Sequence, residues 1–243
     1  MQLIKLDATD STNAYLKDML LKGVLGDFTV VAATAQLKGR GQMGTSWVSD
    51  PGKNLTFSVL KNFEGLGATC QFRINICVSL AIYEALSKLN VPDLMIKWPN
   101  DIMSGRHKIC GILIENILSG KDIDASVIGI GLNVNQLDFG NLSNVSSLKL
   151  LKGITFDLDE LLFLIVERLK INLGAVTGHD FEILRSSYGN KLFRKDKPST
   201  FMDGKGELFM GFIKGVSDCG KLRILLEDDI MEEFDLKQVR LLF

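Results

Sequence analysis

Residues 108–133 read KICGILIENILSGKDIDASVIGIGLN and contain two runs of aliphatic and β-branched residues, 108–116 and 125–130. Ser119-Gly120 between the runs is a turn signal, so the stretch predicts two antiparallel strands. The second strand ends at Gly129 and Gly131, followed by Asn133. Glycines at the end of a buried strand allow a ligand to approach the backbone closely, but they are equally typical of a β-bulge. Both interpretations stay open on this stretch alone.

The flanking sequence predicts the other elements of a mixed α/β domain. Strands are expected at residues 3–6, 28–35 and 54–60 and in a short run ending at Lys97, with a turn over 99–105. Helical periodicity covers residues 72–89, 157–173 and 180–188; the segment 10–13 supplies caps for a further helix, and Asp157 and Glu160 have capping-box spacing. From Pro198 onward, about five short strands are separated by turn signals at 203–204, 214–215 and 219–220. We therefore expect an α/β (α+β) domain over residues 1–190 and a small all-β domain over 195–243.

Composition excludes several classes of protein. Of 243 residues, 46% are hydrophobic, which argues against intrinsic disorder. The 28 basic and 29 acidic residues give a net charge of −1, so charge offers no reason to expect nucleic acid or an anionic membrane as the main partner. The start of the chain does not resemble a signal peptide, and no apolar run reaches the roughly 20 residues of a membrane span. We expect a cytoplasmic protein.

The cysteines and histidines do not predict a metal site. Cys70, Cys77, Cys110 and Cys219 form no CxxC pair, and the only histidines are His107 and His179. A zinc site built from these two residue types is therefore nearly excluded. We expect reduced and mostly buried thiols.

A glycine-rich loop covers residues 36–53, QLKGRGQMGTSWVSDPGK. Gly39, Gly41 and Gly44 form a G-x-G-x-x-G string, but the following residues do not begin the helix that a dinucleotide-binding unit requires. A phosphate-binding P-loop is rejected because its lysine is missing. The remaining interpretations are an anion-binding loop of backbone amides with Arg40, or a surface turn.

A second polar segment, KWPND at residues 97–101, is followed by Lys108. The residue before a proline is conformationally restricted, which fixes the exit from the strand. Two lysines could neutralise a phosphate or a carboxylate, and Asn100 and Asp101 could bind polar groups. A tight turn with solvated charges is the competing interpretation.

Taken together, the motifs resemble biotin protein ligases. STNAYLKD (11–18), AQLKGRGQMGTSW (35–47), IKWPNDIM (96–103), HKICGILIE (107–115) and VIGIGLNV (127–134) occur in that family's order. The resemblance covers about residues 1–190 and implies a mixed sheet with packed helices, as in class II aminoacyl-tRNA synthetases and biotin ligases. The segment after Pro198 resembles the family's C-terminal SH3-like β-barrel.

The resemblance implies roles for individual residues. Ser11, Thr12 and Gln36 would hydrogen-bond the ureido head of biotin, and Lys108 would face its carboxylate and the α-phosphate. Lys108 and Arg40 are thus the implied catalytic residues. The full implied biotin set is Ser11, Thr12, Asn13, Gln36, Gly39, Arg40, Gly41, Lys108 and Gly111. The implied ATP set is Gln42, Trp47, Lys97, Asn100, Asp101 and Asn133.

The implied activity is ATP-dependent formation of biotinyl-5'-AMP, with Mg²⁺ accompanying ATP, and transfer of biotin to a lysine of a biotin carboxyl carrier protein. Gln42 and Thr45 depart from the family pattern, which often has arginines there. Repressor members begin with a DNA-binding domain, whereas this sequence starts at the catalytic segment, so we expect no DNA partner. A homodimer is compatible with the resemblance. The alternatives are a lipoate or octanoate ligase or transferase of the same fold, and a binding-only regulator.

Overall fold

A seven-stranded mixed sheet organises the larger part of the chain in the computed structural model, which describes residues 1–178 and 180–243. His179, one of the two histidines considered for a metal site, lies outside the described residues. The strands lie in the order β1-β2-β3-β7-β6-β5-β4, and β1 and β2 form the parallel pair. They are β1 (Leu3–Thr9), β2 (Val30–Gln36), β3 (Leu55–Gly67), β4 (Leu94–Lys97), β5 (Asp101–Ser104), β6 (His107–Ser119) and β7 (Asp122–Leu132).

Helices cover both faces of this sheet. Helix α2 (Gln71–Lys88) packs against α4 (Leu158–Gly174) and α5 (Phe181–Asn190) on one face, above the main core. Helix α1 (Thr12–Lys22) covers the other face, where Leu16 packs on a smaller core that includes Leu60 and Val127. Because successive strand residues point to opposite faces, β3 and β7 contribute to both cores. The predicted mixed sheet with packed helices is confirmed.

At one end of the sheet, glycines replace apolar side chains on the face that α1 covers. In β6 and β7 the α1 face carries Val127, Gly129 and Gly131, paired with Glu115, Leu113 and Gly111 respectively. The apolar cover over Val127 thus gives way to glycines within one strand. An open floor results directly beyond the first turn of α1.

Several expected elements are confirmed and a few are corrected. The turn expected over residues 99–105 is wrong, because Asp101–Ser104 pairs with both β4 and β6. Helix α3 (Leu148–Lys152) was not expected from its short pattern; Ser147 caps it by accepting from the backbone N–H of Leu150. Asp157 caps α4 by accepting from the amides of Asp159 and Glu160.

The C-terminal segment forms a five-stranded antiparallel sheet, as expected. Its order is β11-β10-β9-β8-β12, with β8 (Pro198–Asp203), β9 (Leu208–Val216), β10 (Leu222–Leu225), β11 (Met231–Phe234) and β12 (Val239–Leu242). The turn expected at residues 214–215 is wrong, since Gly215 lies within β9 beside an irregularity in its pairing with β10. The segment joining the two sheets is tied to the edge of the first, because the amide of Phe193 donates to the carbonyl of Ile96.

The thiols are only partly as expected. All four cysteines are unpaired, and Cys77 and Cys110 are buried. Cys219 is exposed and Cys70 half-buried, which corrects the expectation of mostly buried thiols. Within residues 1–178 and 180–243, no helix combines the length and the apolar character that crossing a membrane requires.

Candidate active site

Glycines form the floor of a cavity on the α1 face. Gly111 of β6 is paired with Gly131 of β7, and Gly129 lies two residues before Gly131 on the same face of β7. A methyl group added to Gly131 would overlap the Trp47 indole, and one added to Gly111 would lie 3.0 Å from Trp47 Cζ3. A side chain at either position would therefore collide with or crowd the indole. The cavity has a volume of about 440 Å³.

One end of the cavity is a buried network of hydroxyls and amides at the start of α1. The backbone N–H and the hydroxyl of Thr12 lie 2.8 and 3.1 Å from Gln36 Oε1. Ser58 Oγ on β3 lies 2.7 Å from Thr12 Oγ1 and 2.6 Å from Asn13 Oδ1. Ser11, the residue before α1, is also buried. Buried polar groups need such partners, so this end is fixed in shape before anything binds.

The glycine-rich loop folds back on itself above the floor. The amide of Trp47 donates to the carbonyl of Gly39 (2.9 Å), and the amide of Gly41 donates to the carbonyl of Thr45 (2.7 Å). At the tip, Met43 has a φ of 55°, in the left-handed region. Residues 45–54 contain no helix, which confirms the rejection of a dinucleotide-binding unit. The loop brings Arg40 and Trp47 over the cavity.

Trp47 lies against Gly111 and Gly131 of the floor, with Lys108 Nζ 5.6 Å from the centre of its ring. This distance is within the range of a cation–π interaction. Among the described residues, Trp47 Nε1 is buried and has no hydrogen-bond partner. An unsatisfied buried donor costs free energy, so the indole would gain by meeting an acceptor.

The other end of the cavity is cationic. Lys108 Nζ lies 2.6 Å from Asp101 Oδ1, and Lys97 Nζ lies 3.9 Å from Asp101 Oδ2. Burial lowers the pKa of Lys97, Asp101 opposes that shift, and the charges of Lys108 and Arg240 add to the lowering. One carboxylate thus faces three cations, so this end attracts anions.

Local structure places Lys108 where β6 begins. Its amide donates to the carbonyl of Asn144, and its own carbonyl accepts from the amide of Ser146. The pairing of β5 with β6 shifts register between Ile102 and Met103, next to this point. Such irregularities re-aim side chains, and here the lysine points into the cavity.

The structure brings most of the implied site residues together. Those that line the cavity are Ser11, Thr12, Asn13, Gln36, Arg40, Gly41, Gln42, Trp47, Lys97, Asn100, Asp101, Lys108 and Gly111. Gly39 does not line it; a methyl group there would overlap the Trp47 carbonyl, so it serves the packing of the loop. Asn133 does not line it either, since its buried amide donates to the carbonyl of Ser146. Asn100 lines the cavity while its amide donates to the carbonyl of Ile112.

A second cleft of about 630 Å³ lies between the two sheets. It shares Lys97 and Arg240 with the first cavity, but its other lining residues are mostly apolar. The polar groups that bind and orient a substrate therefore converge in the smaller cavity.

The family model described as "Biotin/lipoate A/B protein ligase family" matches residues 6–133. Of the residues that line the cavity, only Arg240 lies outside this range. The chain belongs to this family. It is 31% identical to the bifunctional ligase/repressor BirA of Salmonella typhimurium, over 92% of this chain and 69% of the relative. It is 30% identical to a biotin--[acetyl-CoA-carboxylase] ligase of Paracoccus denitrificans, over 88% of this chain and 90% of the relative.

Solved structures of this family agree over nearly the full length. A biotin protein ligase from Aquifex aeolicus in complex with biotin and ATP has a TM-score of 0.81 and 28% identity, covering 99% of this chain and 98% of that one. The match includes the C-terminal β-sheet. The expected biotin-ligase-like fold is thereby confirmed.

Several residues that line the cavity or join its hydrogen-bond network were not predicted from the sequence, among them Ser58, Glu115 and Arg240. Gly129 and Gly131 were considered for close ligand approach, but nothing in the sequence shows that Gly131 lies under Trp47 and Gly129 under Asn13. Arg240 reaches the cavity from β12, about 130 residues beyond Lys108, so no local pattern could connect the two. Ser58 and Glu115 could have been found as polar residues that interrupt otherwise apolar strands.

The two departures from the family's loop have a structural role here. The Thr45 hydroxyl donates to the carbonyl of Gln42 at 2.8 Å, and the amide of Thr45 donates to the same carbonyl at 3.2 Å. Gln42 lines the cavity beside Met43. Thr45 therefore closes the turn at the tip instead of contributing a cation.

Proposed function

We propose that the chain is a biotin protein ligase that forms biotinyl-5'-AMP from biotin and ATP and transfers biotin to a lysine of a carrier protein. One observation carries the proposal: a single cavity joins a buried hydroxyl-and-amide end to a cationic end across a glycine floor. Biotin has a polar ureido head, an apolar chain and a carboxylate, in that order. Its three parts match the three parts of the cavity.

In the first step, a carboxylate oxygen of biotin attacks the α-phosphorus of ATP. The bond from the α-phosphorus to the bridging oxygen breaks, pyrophosphate leaves with the electron pair, and a mixed anhydride remains. Negative charge accumulates on the phosphoryl oxygens, where fixed cations stabilise a transition state most effectively. Lys108 and Arg40 are the residues we assign to this task, with Lys97 and Arg240 adding positive potential at the same end.

In the second step, the neutral amine of the acceptor lysine attacks the anhydride carbonyl. An amide bond forms, AMP leaves, and the proton of the attacking amine passes to solvent. No covalent enzyme intermediate is needed, so catalysis rests on holding the reactants in place and on fixed charge. The buried thiol of Cys110 takes no part, because burial raises its pKa far above neutral pH.

ATP would enter as its Mg²⁺ complex. Among the described residues that line the cavity, Asp101 is the only acidic one, and its carboxylate is paired with Lys108. No group of three potential metal-ligating side chains occurs in the described part of the chain. The protein therefore suits an ion held mainly by phosphate oxygens and water, which is how Mg²⁺ usually accompanies nucleotides.

The polar end of the cavity supports biotin over lipoate, the alternative within the same family. A ureido group offers two N–H donors and one carbonyl acceptor, which Thr12, Asn13, Gln36 and Ser58 could satisfy. A dithiolane ring has neither N–H groups nor a carbonyl, so it could make none of these hydrogen bonds and would gain nothing from this polar end.

The Paracoccus denitrificans relative carries acetyl-CoA carboxylase in its name, which supports a biotin carboxyl carrier protein as the acceptor. The homodimer remains a prediction, which light scattering of the purified chain would test.

The test of the function is biotin transfer to a biotin carboxyl carrier domain, followed with a streptavidin blot. Labelling should require ATP, biotin and the acceptor lysine, and an excess of lipoate should not compete. Absence of labelling, together with absence of biotin-dependent pyrophosphate exchange by the folded protein, would refute the proposal. Labelling of a lipoyl domain by lipoate instead would identify the alternative.

A further inference from the structure

Glu115 is a carboxylate in the middle of β6, on the same face as Gly111 and Leu113. Its side chain is 23% exposed, so much of it is removed from water. A charged group in such a position requires partners, and a carboxylate can accept several hydrogen bonds at once. Three partners surround it, and two of them are implied site residues.

The first partner belongs to the polar end of the cavity. Asn13 Nδ2 donates to Glu115 Oε2 at 2.8 Å. An amide that donates from its nitrogen to a carboxylate must turn its oxygen the other way, and Asn13 Oδ1 accepts from Ser58 at 2.6 Å. Ser58 in turn lies 2.7 Å from Thr12 Oγ1, next to Gln36. Glu115, together with the carbonyl of Leu113 at 3.3 Å from Asn13 Nδ2, thus sets which way Asn13 and the polar side chains linked to it point.

The second partner belongs to the loop. Arg40 Nη2 lies 3.2 Å from Glu115 Oε2, the same oxygen that accepts from Asn13. Among the described residues, Glu115 is the only acidic side chain that pairs with Arg40. The guanidinium has five N–H donors, so a contact through Nη2 leaves others for the cavity.

The third partner explains how the carboxylate remains charged. Lys17 Nζ lies 2.7 Å from Glu115 Oε1. Burial by itself would raise the pKa of Glu115, but hydrogen bonds from Lys17 and Asn13 and the charges of Lys17 and Arg40 outweigh it and lower the pKa. Glu115 is therefore an anion at neutral pH.

We propose that Glu115 is a positioning residue that couples the two binding elements: it orients Asn13 in the head-group pocket and holds Arg40 over the cavity. This inference rests on the proposed biotin ligase function. It adds a role for a residue that touches neither substrate in our assignment and acts through Asn13 and Arg40. A purely structural anion would need only Lys17, whereas Glu115 shares one oxygen between two site residues.

The test is Glu115→Gln, which keeps the size of the side chain and removes its charge. A hydrogen bond to a charged group is stronger than a neutral one, so we expect the KM for biotin to rise about tenfold or more. Release of biotinyl-AMP should accelerate by a similar factor, while the melting temperature falls by only about 2–4 °C, as expected for the loss of about 1 kcal/mol. The matched control is Asp10→Asn, which breaks the exposed Asp10–Lys38 pair beside the same loop and should change neither quantity.

A double-mutant cycle with Arg40→Ala separates positioning from general stability. If Glu115 acts partly through Arg40, adding Glu115→Gln to Arg40→Ala should accelerate adenylate release by less than the product of the two single effects, since the route through Arg40 is already lost. Additive effects on release, or wild-type biotin KM and release in Glu115→Gln, would overturn the inference. If the wild-type protein itself shows no biotin-dependent pyrophosphate exchange, the proposed function fails instead.

Discussion

Replacing Lys108 with alanine removes, at the cationic end of the cavity, the cation that lies closest to both Asp101 and Trp47. The change leaves the backbone contacts of residue 108 with the segment 144–146 in place, because they involve only main-chain atoms. Lys97 remains 3.9 Å from Asp101, so the carboxylate keeps one partner. The variant therefore tests charge rather than folding.

Two magnitudes decide whether the effect is catalytic. The Lys108–Asp101 pair is partly exposed, with side-chain exposures of 34% and 16%, so its loss should cost about 0–1 kcal/mol of the free energy of unfolding. For a chain of this size that lowers the melting temperature by less than about 4 °C. Loss of a cation that acts on the transition state costs about 2.7–4 kcal/mol, on the order of 10²–10³ in kcat. The catalytic loss should thus greatly exceed the loss of stability.

The assay is biotin-dependent exchange of pyrophosphate into ATP, measured beside thermal unfolding of the same preparations. Lys5→Ala is the control, because it removes an exposed ion pair with Asp159 on another part of the sheet. We expect normal exchange by the control and nearly none by Lys108→Ala. Exchange within a few-fold of wild type would refute our assignment of Lys108 to the adenylation step.

Three further outcomes are expected. Gly129→Ala should raise the KM for biotin about tenfold, because the added methyl group would overlap the buried Asn13 amide; an unchanged biotin titration would remove Gly129 from the floor of the site. At neutral pH a thiol reagent should label the exposed Cys219 in the native protein but label Cys77 only after unfolding. The reason is that Cys77 is buried and that burial raises its pKa to about 12. Mass spectrometry of labelled peptides measures both reactions. Folding lowers the pKa of Glu115 below its ordinary value of 4.5, so the stability that Glu115 adds over Glu115→Gln should be complete above pH 4.5 and be lost as the pH falls through the lowered pKa. Urea unfolding of both proteins across this pH range measures the difference. A difference that persists in acid would contradict the prediction.

Local patterns were sufficient for most of the secondary structure. The helix α2 follows from apolar spacing at 3.6 residues, and the hairpin of β6 and β7 follows from two apolar runs around Ser119-Gly120. Short elements were harder, since β5 has only four residues and reads as part of a turn. Its strand character comes from pairing with β4 and β6, which are contacts that a local pattern does not contain.

The sequence by itself determined the family, the identity of most cavity-lining residues and the absence of the phosphate-binding motifs that the glycine-rich loop imitates. Only the tertiary structure decided how those residues act together. The pairing of Gly111 with Gly131, the contact of Trp47 with that pair, and the approach of Arg240 from the second sheet each join segments far apart in the chain. The orientation of Asn13 was likewise decided by Glu115 and Ser58 on two other strands. Packing and register set these contacts, because side chains from distant segments can meet only after the strands have aligned.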